Sequence, residues 1–286
     1  MKKAIILLLI LVVTVSLAFR PSQKKGLKVF ISVDMEGIAS VVSGRECGSS
    51  GRDYDYFRRI LTLETNAAIE GALKAEATDI VVREGHGSKN NMFPEMLHEK
   101  AKLLRGVTQR PENMMLGIDA SFDAVIFIGY HAKAGTKEGI LAHTSTGNVI
   151  DLSINGVSLP EAGYNALVAG LHDVPVVFLG GDNWICDQAK ALFGDVATVE
   201  TKIGMGTAAL GHHPEVVRRM IRTEVASALR NTDKYHPYKL QSPYHMVLKV
   251  RKEKEAYSGA EKTGKGEFTY TSSDLLEVMD AFNAMK

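Results

Sequence analysis

The chain contains very little cysteine. Cys47 and Cys186 are the two cysteines among its 286 residues, and no C-x-x-C pair occurs. A cysteine zinc cluster and a thioredoxin-type redox site are therefore not expected. In an oxidising compartment the two thiols are able to form a disulfide, but the sequence does not show whether they meet in the fold.

A strong charge of either sign is also missing. Charged residues make up 23% of the chain, and the formal net charge is +1. This balance gives no reason to expect nucleic-acid binding. Internal repeats and low-complexity tracts are absent as well. The hydrophobic share of 45% is enough for one large domain or two smaller ones.

One long hydrophobic run is present, and it lies at the amino terminus. Lys2 and Lys3 precede the apolar residues 4–19, whose end carries small residues that a signal peptidase prefers. Residues 1–20 therefore predict an export signal and a periplasmic or extracellular protein, without stable membrane insertion after cleavage. An uncleaved N-terminal anchor is the alternative, although the run is shorter than the roughly 20 residues of a spanning helix.

The rest of the chain alternates between strand-like and helix-like segments. Short runs rich in Val, Ile and Phe predict buried strands, and longer runs with apolar residues at helical spacing predict helices. The predicted strands are 29–33, 79–83, 124–128, 149–154, 157–159, 175–179, 244–250 and 267–270, and the predicted helices are 54–77, 94–104, 161–171, 214–230 and 274–285.

This alternation predicts an α/β fold with a mostly parallel sheet flanked by helices. Asn155-Gly156 between two strand-like runs predicts a hairpin. The pattern changes near residue 195, and residues 201–211 are glycine-rich with little periodicity. We therefore expect an α/β catalytic domain over 27–194 and a smaller α+β domain, or a flank of the same sheet, over 195–286.

The most informative stretch is the end of the first predicted strand. Asp34 and Glu36 follow an apolar run and are two residues apart, so a strand would turn both carboxylates to the same side. Open α/β sheets bind their ligands at the carboxyl ends of the strands. Two carboxylates held close together repel each other, and a divalent metal is the usual compensation.

Other strand ends carry residues of the same chemistry. His86 follows the second predicted strand, and His131 follows the third. His143 comes after a glycine-containing loop, and Glu161 opens a helix directly after Pro160. Side chains from the carboxyl ends of several parallel strands converge on one crevice, so these residues are expected to lie together with the first two.

Oxygen and imidazole ligands suit zinc and its first-row neighbours. Asp34, Glu36, His86, His131 and Glu161 are many ligands for one catalytic zinc, which usually takes three and a water. They suit a pair of metals if one carboxylate bridges, and such pairs are common in hydrolases. The short zinc motif H-E-x-x-H is absent from the chain.

These residues resemble the DppA-type zinc D-aminopeptidases. The resemblance covers most of the chain after the export signal, and its pieces occur in the same order. They are Ser32-Val33-Asp34-Met35-Glu36-Gly37, Gly85-His86-Gly87, Gly129-Tyr130-His131-Ala132, His143 and Glu161-x-Gly163-x-Asn165-Ala166.

The resemblance implies two zinc ions per chain. Asp34 would bridge both ions, Glu36 and His131 would complete one site, and His86 with Glu161 would complete the other. It also implies a ring-shaped homo-oligomer that releases N-terminal, D-configured amino acids from short peptides.

His143 would be the catalytic histidine outside the metal ligands. The zinc ions would activate a water for attack on the scissile carbonyl, while His143 moves a proton or stabilises the tetrahedral intermediate. A direct nucleophilic role for His143 is the lesser alternative.

The chain departs from the family pattern at two places, and two other functions remain possible alternatives. Where the family often has Asn-Asp-Ser-His, this chain has Arg83-Glu84-Gly85-His86, so Glu84 would need a longer arm to orient the histidine. The segment 201–211 looks divergent, which leaves substrate preference undecided. The alternative functions are a metal-dependent amidohydrolase for L-peptides or small amides, and a non-catalytic periplasmic protein that binds metal or peptide.

Overall fold

The computed structural model describes residues 26–286, so the predicted export signal over 1–20 lies outside the described residues. The strands are β1 (Leu27–Val33), β2 (Ala77–Glu84), β3 (Ala101–Leu104), β4 (Ala124–Tyr130), β5 (Val149–Ile154), β6 (Val157–Ser158), β7 (Val176–Asp182), β8 (Ala197–Met205), β9 (Ala208–Gly211), β10 (Tyr244–Val250), β11 (Glu261–Gly264) and β12 (Glu267–Ser272). The α-helices are α1 (Gly44–Cys47), α2 (Tyr54–Lys74), α3 (Glu161–Gly170), α4 (Asn183–Phe193), α5 (Pro214–Leu229) and α6 (Leu275–Met285).

The strands form two sheets. A seven-stranded sheet has the order β3-β2-β1-β4-β7-β8-β9, and all its neighbouring pairs are parallel except β8 with β9. A five-stranded antiparallel sheet has the order β11-β12-β10-β5-β6. The predicted α/β fold with a mostly parallel sheet is confirmed.

The central strands are buried on both faces of the seven-stranded sheet. In β1, Val29 and Ile31 belong to the core that includes apolar residues of α2 and α5, while Phe30 belongs to the core on the opposite face. That second core also takes apolar residues from α3, α4, α6 and the five-stranded sheet. The near-continuous apolar runs of β1 and β4 are therefore needed, because neither face of these strands meets water.

Most predicted elements are present, with ends shifted by a few residues. The hairpin turn is confirmed: Asn155 and Gly156 both have positive φ, at 51° and 79°, between β5 and β6. The helix α4 has no counterpart among the predicted elements. Residues 201–211, where the sequence shows little periodicity, lie mostly in β8 and β9.

The predicted helix 94–104 is wrong. Only Pro94–Met96 forms a single 3-10 turn, and Ala101–Leu104 is instead the parallel edge strand β3. The side chain of Asn66 on α2 accepts a hydrogen bond from the His98 amide and donates one to the Met96 carbonyl. These contacts use the backbone groups that a continuing helix would need.

Residues after 195 contribute to both sheets. The strands β8 and β9 extend the seven-stranded sheet, whereas β10, β11 and β12 pair with β5 and β6 in the other. The division of the chain at residue 195 stays a prediction. Within residues 26–286, no helix is long and apolar enough to cross a membrane.

Cys47 and Cys186 are both free and buried, so the disulfide that the sequence allows does not form. Their positions give the reason. Cys47 packs in the core on the α2 face of the seven-stranded sheet, and Cys186 packs in the core on the other face. The sheet therefore separates the two thiols.

Candidate metal centre

Asp34 and Glu36 lie in a turn that follows β1, and both side chains line one cleft. The strand ends at Val33, so a turn rather than strand periodicity brings the two carboxylates together. The Asp34 amide donates to the Ile128 carbonyl at 2.8 Å, which ties this turn to β4. Both residues are buried, with relative exposures of 3% and 7%.

Two glycines permit the close approach between this turn and β4. The Gly37 amide donates to the Gly129 carbonyl at 2.7 Å. A Cβ on Gly37 would lie 1.7 Å from the Tyr130 carbonyl oxygen, and Gly129 has a φ of +72°. Both positions therefore require glycine, and their role in tight turns agrees with the expectation from the sequence.

The remaining predicted site residues come from the same end of the sheet. His86 follows β2, His131 follows β4, and His143 lies in the connection from β4 to β5. Glu161 is the first residue of α3. The structure therefore brings all six predicted site residues into one cluster, because the strands that precede most of them are parallel neighbours.

Asp34 contributes one carboxylate oxygen to each of two groups of side chains. Its Oδ1 lies 3.2 Å from Nδ1 of His86, which is also 2.9 Å from Oε2 of Glu36. Its Oδ2 lies 3.5 Å from Nε2 of His131, which is also 3.4 Å from Oε1 of Glu161. The shortest of these distances pair Glu36 with His86 and Glu161 with His131, whereas the resemblance pairs Glu36 with His131. The ligand atoms of Glu36, His131 and His143 also lie close enough to share one ion, so the grouping that the resemblance implies stays a prediction.

His143 lies over the second group. Its ring stacks on that of His131 with centroids 4.1 Å apart and an angle of 18° between the ring planes. Its Nε2 is 3.6 Å from Oε1 of Glu161 and 3.9 Å from Oε1 of Glu36. With a side-chain exposure of 24%, it is the most accessible histidine of the cluster.

Each of the three histidines directs one ring nitrogen at a backbone carbonyl. Nε2 of His86 is 2.8 Å from the Cys47 oxygen. Nδ1 of His131 is 3.0 Å from the Ala132 oxygen, and Nδ1 of His143 is 2.7 Å from the Leu141 oxygen. A carbonyl only accepts, so these nitrogens carry a proton, and the other nitrogen of each ring is the one that faces the carboxylates and is free to bind a metal ion.

This arrangement fits metal ions. Nε2 of His131 is buried and has no hydrogen-bond partner among the described residues. A lone pair that faces carboxylate oxygens at about 3.4 Å is repelled by them, whereas a divalent cation between these atoms attracts both. Every possible ligand group of three or more side chains in residues 26–286 draws on this cluster, and one includes Cys47 with Glu36 and His86.

The coupled charges of the cluster shift the pKa values of its members. Burial opposes the charged form of the His86 and His131 rings, but the surrounding carboxylates outweigh burial and raise both pKa values well above the usual value. Burial would also raise the pKa of Glu36 and Glu161, but the histidines outweigh it and lower both. The carboxylates thus remain ionised and attract positive charge to this point.

Residues that the sequence did not single out hold the turn of Asp34 and Glu36. From β8, the Thr201 hydroxyl donates to the Gly37 carbonyl at 2.6 Å. The buried ammonium of Lys202 donates to the Ile38 carbonyl at 2.8 Å and also to the Glu36 carbonyl. The glycine-rich segment therefore supports the centre, although its sequence shows no motif for this task.

Glu84 does not orient His86. One of its oxygens accepts from the Met92 amide at 3.0 Å, which shapes the loop after β2. Asn91 in that loop donates its side-chain amide to the His86 carbonyl at 2.8 Å. The Cys47 carbonyl orients the His86 ring instead. Glu84, where the family often has Asp, therefore does not disturb the position of this ring.

Comparison with known proteins identifies the family. The family model described as D-aminopeptidase matches residues 27–284. This chain belongs to the D-aminopeptidase family. The DppA-type resemblance is thereby confirmed, and the chain is an aminopeptidase, a hydrolase of peptide bonds.

Two relatives support this assignment along nearly the whole chain. The D-aminopeptidase of Bacillus subtilis is 33% identical over 270 residues, which are 91% of this chain and 96% of the relative. A solved structure described as the Zn-dependent D-aminopeptidase DppA from Bacillus subtilis, a self-compartmentalizing protease, has a TM-score of 0.86 at 32% identity. The alignment covers 90% of this chain and 96% of that chain.

Proposed function

We propose that this aminopeptidase holds two zinc ions per chain and releases N-terminal D-amino acids from short peptides by attack of an activated water. The proposal rests on the position of Asp34, because its two carboxylate oxygens face two different histidine–glutamate groups. One ion would be held by Asp34, Glu36 and His86, and the other by Asp34, His131 and Glu161.

Zinc at this centre would activate a water and polarise the scissile carbonyl. Glu36 and Glu161 are ionised, and a metal ion would displace the proton that the neighbouring carboxylates favour on the facing nitrogens of His86 and His131. The solved relative is described as Zn-dependent, which supports zinc as the metal.

His143 is suited to move a proton within the centre. Its Nε2 faces the carboxylates of Glu36 and Glu161, and its Nδ1 proton is held by the Leu141 carbonyl. That hydrogen bond fixes the orientation of the ring and stabilises it when Nε2 takes a proton. General acid–base catalysis of this kind contributes about 100- to 10,000-fold. A nucleophilic role for the same nitrogen is the alternative.

The cleft suits a small substrate. Its volume is about 380 Å³, and it is lined by members of the cluster together with residues from the loops after β2 and β3. This size is at the lower end for ligand pockets, which supports short peptides rather than folded proteins.

A homo-oligomeric ring is part of the proposal. The solved relative is described as self-compartmentalizing. In this chain the β8–β9 hairpin, at the edge of the seven-stranded sheet, exposes three large apolar side chains. They are Ile203 at 44%, Met205 at 52% and Leu210 at 64% exposure. Neighbouring exposed apolar side chains on an edge hairpin favour contact with another copy.

Residues 1–20 would export this aminopeptidase to a periplasmic or extracellular location, or anchor it there if the signal is retained. In such a compartment, fragments of cell-wall peptides are a natural source of D-alanine. The supporting observation is the dibasic head followed by the apolar run 4–19.

The test combines zinc content with stereochemistry. Elemental analysis should find two zinc ions per chain, and D-Ala-D-Ala should be hydrolysed much faster than L-Ala-L-Ala. A chelator should abolish the reaction, and added zinc should restore it. Preference for the L-dipeptide would replace the proposal with an L-peptide amidohydrolase. Zinc or peptide binding without turnover of either dipeptide would favour a binding protein.

A further inference from the structure

Two lysines line the same cleft as Asp34, Glu36 and Glu161. Lys89 lies in the loop after β2, three residues beyond His86. Its relative exposure is 8%, and its backbone has a φ of +57°, in the left-handed region that favours glycine. Lys286 directly follows α6 and is partly buried.

Neither ammonium group has a carboxylate partner. Lys89 donates to the Gly85 carbonyl, and Lys286 donates to Oδ1 of Asn283 at 2.7 Å. An ammonium has three donors, so each retains two. None of the ion pairs within residues 26–286 includes either lysine. The Lys286 nitrogen also lies over the Phe282 ring, 5.1 Å from its centroid, a cation–π contact that leaves its positive charge uncompensated.

The third basic side chain of the cleft differs in this respect. Arg110 also lines the cleft, but it already forms an ion pair with Glu112 at 2.7 Å and is 68% exposed. Its charge is therefore compensated within the chain. Lys89 and Lys286 are the basic groups of the cleft wall that keep their charge available for a ligand.

Burying an ammonium without an anionic partner costs free energy, and a bound anion would offset that cost. Burial lowers the pKa of both lysines, that of Lys286 to about 8. In the cleft without metal, Asp34 attracts Lys89, and Glu161 attracts both lysines. Two divalent ions would more than neutralise the three carboxylates of the cluster, and this attraction would then be lost.

We propose that Lys89 and Lys286 bind a carboxylate of the peptide substrate. The inference rests on the proposed function, because it places the free amino end of the peptide at the metal centre and its acidic group at the lysines. The α-carboxylate of a short peptide is one source of this chemistry, and an acidic side chain in the second residue is the other. The two lysines would thus select short peptides with an uncapped or acidic second residue.

The test compares three substrates on the zinc-loaded enzyme: D-Ala-D-Ala, its C-terminal amide, and a D-Ala-D-Glu α-amide whose only carboxylate is in the side chain. We expect kcat/KM for the D-Ala-D-Ala amide to be about 10- to 100-fold lower than for the free acid, mainly through KM, since charge-assisted hydrogen bonds are lost. Recovery of kcat/KM with the D-Ala-D-Glu α-amide would show that the lysines also accept a side-chain carboxylate, and no recovery would show that they are restricted to the α-carboxylate.

Lys89→Met and Lys286→Met keep an unbranched side chain of nearly the same length and remove its charge. Each should lower kcat/KM for the free acid toward that of the amide and leave the amide unchanged. Lys102→Met on β3 is the matched control, because this lysine is 73% exposed and pairs with Asp79 outside the cleft. It should leave both substrates unchanged.

Binding provides a second measurement that does not depend on turnover. Calorimetry on the zinc-loaded His143→Ala variant should show tighter binding of D-Ala-D-Ala than of its amide, and the added lysine substitutions should remove the difference. Equal kcat/KM for acid and amide in the wild type, with zinc content intact, would overturn the lysine site alone. Failure to hydrolyse any of the peptides would instead count against the proposed function.

Discussion

The rings of His131 and His143 stack at a centroid distance of 4.1 Å, yet the two histidines meet the carboxylates differently. Nε2 of His131 is fully buried between Asp34 and Glu161, as a ligand would be. Nε2 of His143 stands further from its nearest carboxylate and closer to solvent. In the proposed function, the stack would hold the proton-moving ring of His143 directly beside the metal-binding ring of His131.

Replacing His143 by alanine should separate these two tasks. We expect zinc content to stay at the wild-type level, while kcat falls about 100- to 10,000-fold. His98→Ala, at a histidine outside the cluster, is the control. Elemental analysis and D-Ala-D-Ala hydrolysis measure the two quantities. Wild-type turnover in a zinc-loaded His143→Ala variant would remove this residue from the mechanism.

Replacing Asp34 should affect both ions, and replacing Glu161 should affect one. Because Asp34 gives one oxygen to each group, Asp34→Asn is expected to lose both zinc ions, whereas Glu161→Gln should retain the ion held by Glu36 and His86. Zinc per chain, measured after dialysis, distinguishes the two variants. Asp119→Asn on the surface should keep the wild-type content. Equal losses in the Asp34 and Glu161 variants would contradict the shared role of Asp34.

Gly129 should tolerate no side chain. Its φ is +72°, and a Cβ there would lie 2.1 Å from the Asp34 carbonyl oxygen. Gly129→Ala should lower the free energy of unfolding by about 2–4 kcal/mol and reduce zinc binding. Gly147→Ala is the matched control, since a Cβ at that position meets no atom within 4 Å. Urea unfolding of both variants measures the difference, and similar stabilities would refute the close approach of the turn to β4.

Glu64 should make the protein less stable as the pH rises. Burial raises the pKa of its carboxyl from 4.5 to about 7, although the Ala39 amide and Lys202 oppose the shift. The folded state therefore holds this proton more tightly than the unfolded state. Stability from this group is present below pH 4.5 and is lost as the pH rises to about 7, by about 3 kcal/mol in total.

Glu64→Gln removes that titration. When the pH rises from 5 to about 8, we expect this variant to lose less unfolding free energy than the wild type loses. Glu95→Gln, at an exposed glutamate, should keep the wild-type pH dependence. An unchanged pH dependence in the Glu64 variant would show that its carboxyl titrates normally in the fold.

The β8–β9 hairpin should carry part of the subunit interface. Leu210→Lys places a charge among the exposed apolar side chains, and we expect it to shift the protein toward smaller species in analytical ultracentrifugation. Lys190→Met, on the exposed side of α4, is the control. An assembly of the same size in the wild type and the Leu210 variant would show that the hairpin lies outside the interface.

The sequence predicts which side chains lie together in this cluster, because most of them follow strands that are neighbours in the sheet. Asp34, His86 and His131 follow buried parallel strands that can be recognised from their apolar runs, and parallel neighbours bring their ends together. The grouping of ligands could not be predicted in this way. It depends on side-chain positions within the turn after Val33, which periodicity does not fix.

Support from distant residues could not be predicted for a similar reason. Lys202 and Thr201 act through backbone carbonyls on another strand, and Lys286 reaches the cleft from the end of α6. None of them belongs to a motif with a characteristic spacing. The error over 94–104 has the same origin, since contacts from Asn66 override the local helical pattern there.

Anomalous diffraction at the zinc edge, from crystals grown with zinc, tests the central claim most directly. We expect two peaks about 3.5–4 Å apart, one on each side of the Asp34 carboxylate. One peak would have His86 and Glu36 as neighbours, and the other His131 and Glu161. A single peak, or peaks away from Asp34, would show that this carboxylate is not shared by two zinc ions.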